Sequence, residues 1–373
     1  MMKYSLYILL FSLLFRFIFK ILPKKEIYKF IESSNDLKSI VILELNNYHL
    51  ECLPGFTKYF VDLGYNVDIL IRKKNRESME KFEPKNKIRI FEFTNINQIE
   101  HFYGRLKKKL NKYKYSLLHT TDFQEEKKKI YKNLGYYDNP NSLFIVHGMD
   151  FLEDLNITKF VLKNHTFSLA DYGKLIFVNP HYFGEFNLTQ KRKKIKNKTS
   201  FFITSSGFKN YSYLIEAVEN LHNKSINFEM HVPGHVRDLN EEILPKHLRK
   251  YFHFYGHVNY QKLYQIVLDS DFIIINLFPD LEFDNLFRTY RATGNAQLIY
   301  GFLKPGIIEE HFAHIYKFTN KNSIIFQYHN LSSAIENATQ ISDEQYYQMT
   351  MKIQLLRDNI YNISLNNLKN ALS

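Results

Sequence analysis

Two sets of residues in this sequence have types and spacings that could do chemistry. The first lies in Phe287-Arg288-Thr289-Tyr290-Arg291-Ala292-Thr293-Gly294-Asn295-Ala296-Gln297-Leu298, which runs on to Lys304-Pro305 and follows the apolar residues 272–277. Strand, polar loop, Thr-Gly at a helix start and then an apolar helix is an order with a physical meaning. Amides at a helix N-terminus point outward and carry partial positive charge, so they attract phosphate. Gly294 lets the backbone approach a ligand, Thr293 offers a hydroxyl, and Arg288 and Arg291 add fixed charge. The plainer alternative is a strand–loop–helix unit with solvated arginines, because no complete phosphate-loop motif is present. Ser206-Gly207, after the apolar Phe201-Phe202-Ile203 and with Lys209 nearby, forms a second candidate anion cradle.

The second set is built on histidine. Beyond the ends of predicted strands stand His49 with Glu51, His119-Thr120-Thr121, His147-Gly148-Met149-Asp150 and Asn179-Pro180-His181. Imidazole suits proton transfer and the binding of sugar hydroxyls. One such histidine is ordinarily structural; a histidine at successive strand ends is harder to set aside. No His-Glu-x-x-His spacing occurs, so no metal site is expected.

Those residues need elements to position them. Residues 40–45 form a short apolar run of the kind found in buried parallel strands. A helix over 54–63, ended by Gly64, and a strand over 66–71 complete a strand–helix–strand unit. Further strands are predicted at 88–93, 115–119, 143–146 and 174–178, separated by helical or charged stretches such as 98–113. With right-handed crossovers this is an α/β, doubly wound sheet, whose ligands sit beyond the carboxyl ends of the strands. A second α/β block follows: strands at 201–203, 227–232, 253–255, 272–277 and 323–326, helices at 208–218 and 260–270, and a mostly helical end over 342–371.

Residues 188–200 separate the blocks and include Lys191-Arg192-Lys193-Lys194-Ile195-Lys196-Asn197-Lys198. This reads as a solvated basic linker, with a nucleic-acid or membrane contact as the alternative. Two blocks around a basic break predict two Rossmann-like domains facing a cleft.

At 373 residues there is ample chain for large cores, and the 45% apolar fraction is ordinary for a globular protein. The net charge of +12 favours anionic partners such as nucleotides or acidic lipid surfaces. Cys52 is the one cysteine, so an intramolecular disulfide and a cysteine-built zinc site are both excluded.

Residues 4–22 are strongly apolar but interrupted by Arg16 and Lys20, which share one helical stripe with Ser5 and Ser12. That pattern favours a helix lying in or tilted through the membrane interface; a spanning signal anchor or a buried helix are the alternatives. Lys20, Lys24, Lys25 and Lys29 place the body of the protein on the cytoplasmic side by the positive-inside tendency.

The second block resembles the nucleotide-sugar domain of GT-B-fold glycosyltransferases, close to the large retaining family (family 4-like, group 1) that includes many cell-envelope sugar transferases. The residues that carry the resemblance are Phe208-Lys209-Asn210-Tyr211 to Ala217, Tyr255-Gly256-His257-Val258 with Leu263-Tyr264, Ser270-Asp271 before an apolar strand, and Lys304-Pro305 followed by Ile307-Ile308. The first block resembles the acceptor-side domain more loosely, through its first loop and Val146-His147-Gly148. Many members carry two glutamates eight positions apart before the Lys-Pro element. Here those positions fall close to Tyr290 and Leu298, and Thr293, Gly294, Asn295 and Gln297 are expected to take over part of their task.

The resemblance implies a metal-independent, retaining hexosyl transfer from a nucleotide diphosphate-sugar, with no further cofactor. The donor would be held by Ser206, Gly207, Lys209, His257, Arg288, Arg291, Thr293, Gly294, Asn295 and Gln297. His147 would orient the sugar, and His49 or Glu51 would face the acceptor. The expected domains are residues 1–25 (membrane-associating helix), 26–187 (acceptor side), 188–200 (linker), 201–342 (nucleotide-sugar side) and 343–373 (helices packing back on the first domain). Together with the apolar 4–22 stretch, this implies a cell-envelope glycan or lipid-linked acceptor at the cytoplasmic face of the inner membrane. A nucleotide-sugar epimerase of the same fold would need the donor pocket but no anchor. A nucleic-acid-binding protein would need a basic face with stacking aromatics, and no nucleic-acid partner is expected.

Overall fold

The computed structural model describes residues 25–35, 38–120, 125–147, 163–173, 175–189, 198–204, 211–234, 239–289, 291–327 and 330–373. The apolar 4–22 stretch, Ser206, Gly207, Lys209, Tyr290 and basic residues 190–197 lie outside them. Among the described residues no helix is long and apolar enough to cross a membrane. The chain divides into two compact units, Met1–Val146 with Phe151–Phe167, and His147–Asp150 with Ser168–Ser373.

In the first unit β1 (Ser39–Glu44), β2 (Asn66–Arg72), β3 (Ile88–Phe93), β4 (Tyr115–Thr120), β5 (Ser142–Val146) and β6 (Thr166–Ser168) lie in the order β3-β2-β1-β4-β5-β6. The pairings of β1 with β2 and β4, of β2 with β3, and of β4 with β5 are all parallel. Ile40, Val41, Ile42 and Leu43 are each no more than 1% exposed, so both faces of β1 are covered. That is why its sequence is a continuous apolar run instead of an alternation. Helix α1 (Leu53–Asp62) starts on Pro54 and ends before Gly64, whose φ of 87° turns the chain into β2. The predicted helical stretch over 98–113 is two helices, α2 (Ile96–His101) and α3 (Tyr103–Leu110). Phe102 leaves helical geometry between them, and its buried ring packs edge-on against Tyr28 at 4.9 Å. Helix α4 (Glu125–Leu134) follows β4.

The second unit repeats the plan. After the short β7 (Ile176–Phe177), its sheet runs β10-β9-β8-β11-β12-β13, with β8 Thr199–Phe202, β9 Phe228–Pro233, β10 Phe252–Gly256, β11 Phe272–Ile274, β12 Gly306–Glu309 and β13 Ser323–Phe326. Alternate residues feed two cores. Phe201, Met230, Phe272, Ile274 and Ile307 join the core under α5 (Ser212–Asn223) and α10 (Leu331–Gln340). Phe202, Ile273, Ile275 and Ile308 join the core under α6 (Tyr260–Asp269) and α8 (Gly294–Phe302), together with Phe312 and Ala313 of the short α9 (Glu310–Ala313). Burying each such side chain contributes about 1.5–3 kcal/mol, enough in sum to fix the sheet between two helix layers. The last helix, α11 (Asp343–Ala371), opens with a capping box between Ser342 and Gln345. It packs along this unit: Tyr346 donates to the Asp271 carbonyl at 2.8 Å and Asn367 to the Phe177 carbonyl at 2.9 Å.

Three local expectations change. The loop read over 287–292 begins inside a helix, because α7 (Glu282–Thr289) includes Arg288. Buried Asp284 in its first turn accepts from the Phe278 amide at 2.9 Å, a tertiary bond that apolar periodicity does not reveal. The strand expected over 272–277 pairs regularly only to Ile274. The strand expected over 174–178 is the two residues of β7.

Gly301 in α8 gives a sharp test of this packing. A glycine-to-alanine change inside a helix ordinarily stabilises by roughly 0.5–1 kcal/mol. Here an added Cβ would stand 2.4 Å from the Phe183 ring and 2.5 Å from the His181 carbonyl oxygen. Gly301→Ala is therefore expected to destabilise by about 1–3 kcal/mol, read as a lower urea midpoint. A raised midpoint would show that the α8 contact is loose.

Candidate functional site

Each sheet reverses its strand order once, between β1 and β4 and between β8 and β11. In a doubly wound sheet the crossovers leave on opposite faces at that point, opening a crevice at the carboxyl edge where ligands bind. In both units a buried hydrogen-bond network stands in the crevice.

In the first unit Glu44 ends β1 and His119 lies near the end of β4. His119 Nδ1 is 2.5 Å from Glu44 Oε2, and both side chains are buried. The other oxygen, Glu44 Oε1, accepts from the Asn46 amide at 2.8 Å and from Asn46 Nδ2 at 2.9 Å. Buried Lys127 of α4 donates to Asn46 Oδ1 at 3.1 Å, and Asn75 Nδ2 donates to the Asn46 carbonyl at 2.8 Å. Buried polar side chains persist where they are hydrogen-bonded to one another, as these are. The network anchors the loop that carries His49 and Glu51. His49 sits at φ 60°, in the left-handed region, with Nδ1 3.1 Å from Glu51 Oε1. Burial opposes ionisation of Glu51, but the hydrogen bond and charge of His49 prevail and hold its pKa below the ordinary carboxylate value. Neighbouring Cys52 is buried, and burial together with Glu51 and Glu44 pushes its thiol pKa well up.

In the second unit Asn295, one residue into α8, bridges the crevice. Its Oδ1 accepts from Thr204 Oγ1, beyond β8, at 3.2 Å, and its Nδ2 donates to the Ile274 carbonyl of β11 at 3.0 Å. Thr293 is the N-cap residue, but its own amide donates to the Tyr316 hydroxyl at 3.2 Å. The outward amides left for a ligand are those of the first turn, beginning at Gly294. Gln297 is buried within α8. His147 belongs to this unit, and its carbonyl accepts from the Ala292 amide at 3.3 Å. The His147 backbone thus meets the chain two residues before α8. Arg291 is held through its backbone: its amide donates to the Leu286 carbonyl at 2.9 Å and its carbonyl accepts from the Tyr172 hydroxyl.

Arg288 lines an open cavity of about 450 Å³ together with Pro279, Asn285, His314 and Ile315. Among the described residues Arg288 forms no ion pair; its one bond is to Asn285 Oδ1 at 3.4 Å, and Asn285 is itself fixed by donating to the Pro279 carbonyl at 2.8 Å. The turn His314–Tyr316 reaches both places, lining this cavity with His314 and bonding the Thr293 amide with Tyr316. His257 stands exposed after β10, where the Gly256 carbonyl accepts from the Gly234 amide at 2.8 Å.

Two residues singled out by sequence are structural. His181 is buried edge-on against Tyr300 and Tyr361, with Nδ1 3.2 Å from Asn179 Oδ1. Burial, aided by the charge of Arg357, pushes its pKa down to about 3. Lys304 is buried and donates to the Leu268 carbonyl at 2.8 Å. Glu309, Glu310 and His311 have metal-ligand spacing, but Glu309 Oε2 accepts from the His311 amide at 2.8 Å and Oε1 faces His311 Nδ1 at 2.7 Å.

Sequence reasoning missed Glu44, Lys127, Tyr316 and His314. Glu44 left a signal, a carboxylate inside an otherwise apolar strand. His314 left none.

No family model matches the chain, and no curated protein does. Among solved structures it is similar to a glycosyltransferase from Rickettsia africae ESF-5, with TM-score 0.56 and 14% identity over 90% of this chain and 98% of that one. It is also similar to WaaG, a glycosyltransferase involved in lipopolysaccharide biosynthesis (TM-score 0.48, 13% identity, 89% and 98% covered). A third is the glycotransferase of kitacinnamycin (0.47, 11%, 91% and 100%). At these identities the likeness is one of fold. Two Rossmann-like units with parallel, order-reversing sheets make the fold of this chain GT-B.

Two measurements test the networks. Glu44→Leu keeps bulk but removes the partner of Asn46 N, Asn46 Nδ2 and His119 Nδ1. It is expected to cost about 3–5 kcal/mol in urea unfolding, and a loss under ~1 kcal/mol would mean the pair is not buried as described. His181 titrates lower in the folded than in the unfolded chain, so the unfolded state binds more protons between the two values. Its stabilisation is complete above about pH 6.5 and falls toward pH 3. At pH 5 the loss is about 2 kcal/mol. His181→Gln should flatten that part of the acid profile, and an unchanged slope would assign it to other groups.

Proposed function

We propose that this protein is a glycosyltransferase that moves a sugar from a nucleotide diphosphate-sugar to an acceptor hydroxyl. The observation that carries this reading is the carboxyl-edge cavity of the second unit. Arg288 and His314 line it with no carboxylate among its described lining residues, and one turn ties it to the N-terminus of α8. Departure of a nucleoside diphosphate develops negative charge. Fixed cations and helix-terminal amides stabilise that charge more in the transition state than in the bound donor. Arg288 suits this role because its planar guanidinium can bind phosphate oxygens in pairs. Positive charge supplied by side chains fits a reaction without an essential metal.

The remaining roles are those that the family resemblance implies. The exposed edge at Gly256-His257 meets the base, Ser206, Gly207 and Lys209 complete the phosphate site, and His147 orients the sugar. Asn295 braces the crevice floor. On the acceptor side, Glu51 is kept ionised by His49 and can take the proton of the attacking hydroxyl. The family resemblance supports a retaining outcome. The apolar 4–22 stretch and the lysines after it support an envelope glycan or lipid-linked acceptor at the cytoplasmic membrane face.

The test is a screen of nucleotide diphosphate-sugars by thermal shift, since a ligand at 100 times its Kd adds about 2.7 kcal/mol. With the best donor, Arg288→Ala should lower transfer roughly 10- to 150-fold, equivalent to the ~1.5–3 kcal/mol of a charged contact. The loss should exceed the loss in donor binding. No stabilising nucleotide sugar, or full turnover in Arg288→Ala, would remove the proposal.

A further inference from the structure

The amino edge of the second sheet holds a separate basic cavity. Three neighbouring parallel strands, β8, β9 and β10, enter there side by side. Thr199 pairs with Phe228 across β8 and β9, so the residues just before them, Lys198 and Asn227, arrive together. Lys250 and Tyr251 arrive next to them at the start of β10. With His222 and Ser225 from the end of α5, these residues line a cavity of about 430 Å³. That volume lies within the ~300–1,000 Å³ of small-molecule sites.

Its chemistry is one-sided. None of the described lining residues is acidic. Among the described residues neither Lys198 nor Lys250 forms an ion pair, although Lys224 nearby is matched with Glu336 at 2.5 Å and His247 with Glu219 at 2.8 Å. Lys250 is held with Nζ 5.1 Å from the centre of the Tyr251 ring. Tyr251 in turn is fixed by stacking on buried Phe228 at 4.5 Å and 4°, and by its hydroxyl 3.0 Å from His222 Nδ1. The carbonyls that end α5 are already engaged: those of Asn220, Leu221 and His222 accept from the amides of Lys224, Ile226 and Ser225. The wall therefore presents donors and cations on a rigid aromatic floor.

We propose that this amino-edge cavity is a phosphate-binding site, set apart from the carboxyl-edge cavity of the same sheet. Its ligand is a phosphate mono- or diester, either on a small molecule or in an anionic lipid headgroup. Lys198 and Lys250 neutralise the charge, and Ser225, Asn227 and the His222–Tyr251 pair give hydrogen bonds to the oxygens. The proposal does not depend on what the carboxyl edge catalyses.

The experiment uses the full chain and two probes. Inorganic phosphate is followed by phosphorus NMR line broadening. Vesicles of phosphatidylcholine, with or without about one-third phosphatidylglycerol, are followed by co-sedimentation; comparing each variant with wild type cancels binding by the apolar 4–22 stretch and its flanking lysines, which both chains share. Lys198→Glu with Lys250→Glu is the main variant, and Lys198→Gln with Lys250→Gln is the milder one, each checked for fold by circular dichroism. The expected result is at least a 10-fold weaker response of the double glutamate variant to one probe, an intermediate response of the glutamine variant, and unchanged thermal stabilisation by the donor at the other edge. Loss confined to phosphate identifies a small phosphorylated ligand, and loss confined to the phosphatidylglycerol preference identifies a headgroup. A wild-type chain that responds to neither probe, or variants that respond as wild type does, would overturn the site.

Discussion

A parallel strand can be reached from its neighbour only by a crossover, and the rest of this structure depends on that constraint. Crossovers put helices on both faces of each sheet, so the strands must be apolar on both sides. Ile40 to Leu43 and Phe272 to Ile274 satisfy this with side chains almost wholly removed from water. The sheet then grows outward from its first strand in one direction and, after the order reverses, in the other. The reversal leaves crevices between β1 and β4 and between β8 and β11, with no further instruction from the sequence.

A crevice in a packed sheet needs its floor satisfied, because strand carbonyls and buried side chains cannot stay without partners. Two different solutions occupy equivalent places. The first unit uses a carboxyl group, with Glu44 bonded to His119 and to the Asn46 amide. The second uses a neutral amide, with Asn295 spanning Thr204 and the Ile274 carbonyl. Each fixes the element carrying more exposed groups, the His49–Glu51 loop in one case and the N-terminus of α8 in the other. Rigid support of this kind holds a reacting constellation in place before its ligand arrives.

The second sheet shows how strand ends gather charge. Residues before adjacent parallel strands meet at one edge, and residues after them meet at the other. Arg288 and His314 share the cavity beyond β11 and β12, while Lys198 and Lys250 share the cavity before β8 and β10. Part of the net charge of +12 is thereby concentrated in two places on one sheet.

By itself the sequence determined the class of the fold and most of its elements. Continuous apolar runs such as Ile40 to Leu43 can be buried on both faces only in a parallel sheet, and the Thr293-Gly294 start of α8 is written in local helix-terminus chemistry. Two strands escaped, β6 with only three residues and β12, whose Ile307-Ile308 is flanked by Gly306 and the buried Glu309. So did the helix over Arg288, whose start rests on the Asp284 bond to the Phe278 amide. Only tertiary structure decided which polar residues face a ligand and which hold the frame. His181 and His49 read alike in sequence, yet the first is buried beside Asn179 while the second is partly exposed beside Glu51. Lys304 looks like a ligand cation and is spent on the Leu268 carbonyl, while His314, without any local signal, lines the cavity beside Arg288. The reason is physical. Secondary structure follows from patterns within a few residues, whereas the role of a polar side chain depends on which distant atom reaches it first, and that is settled only when the strands are in register.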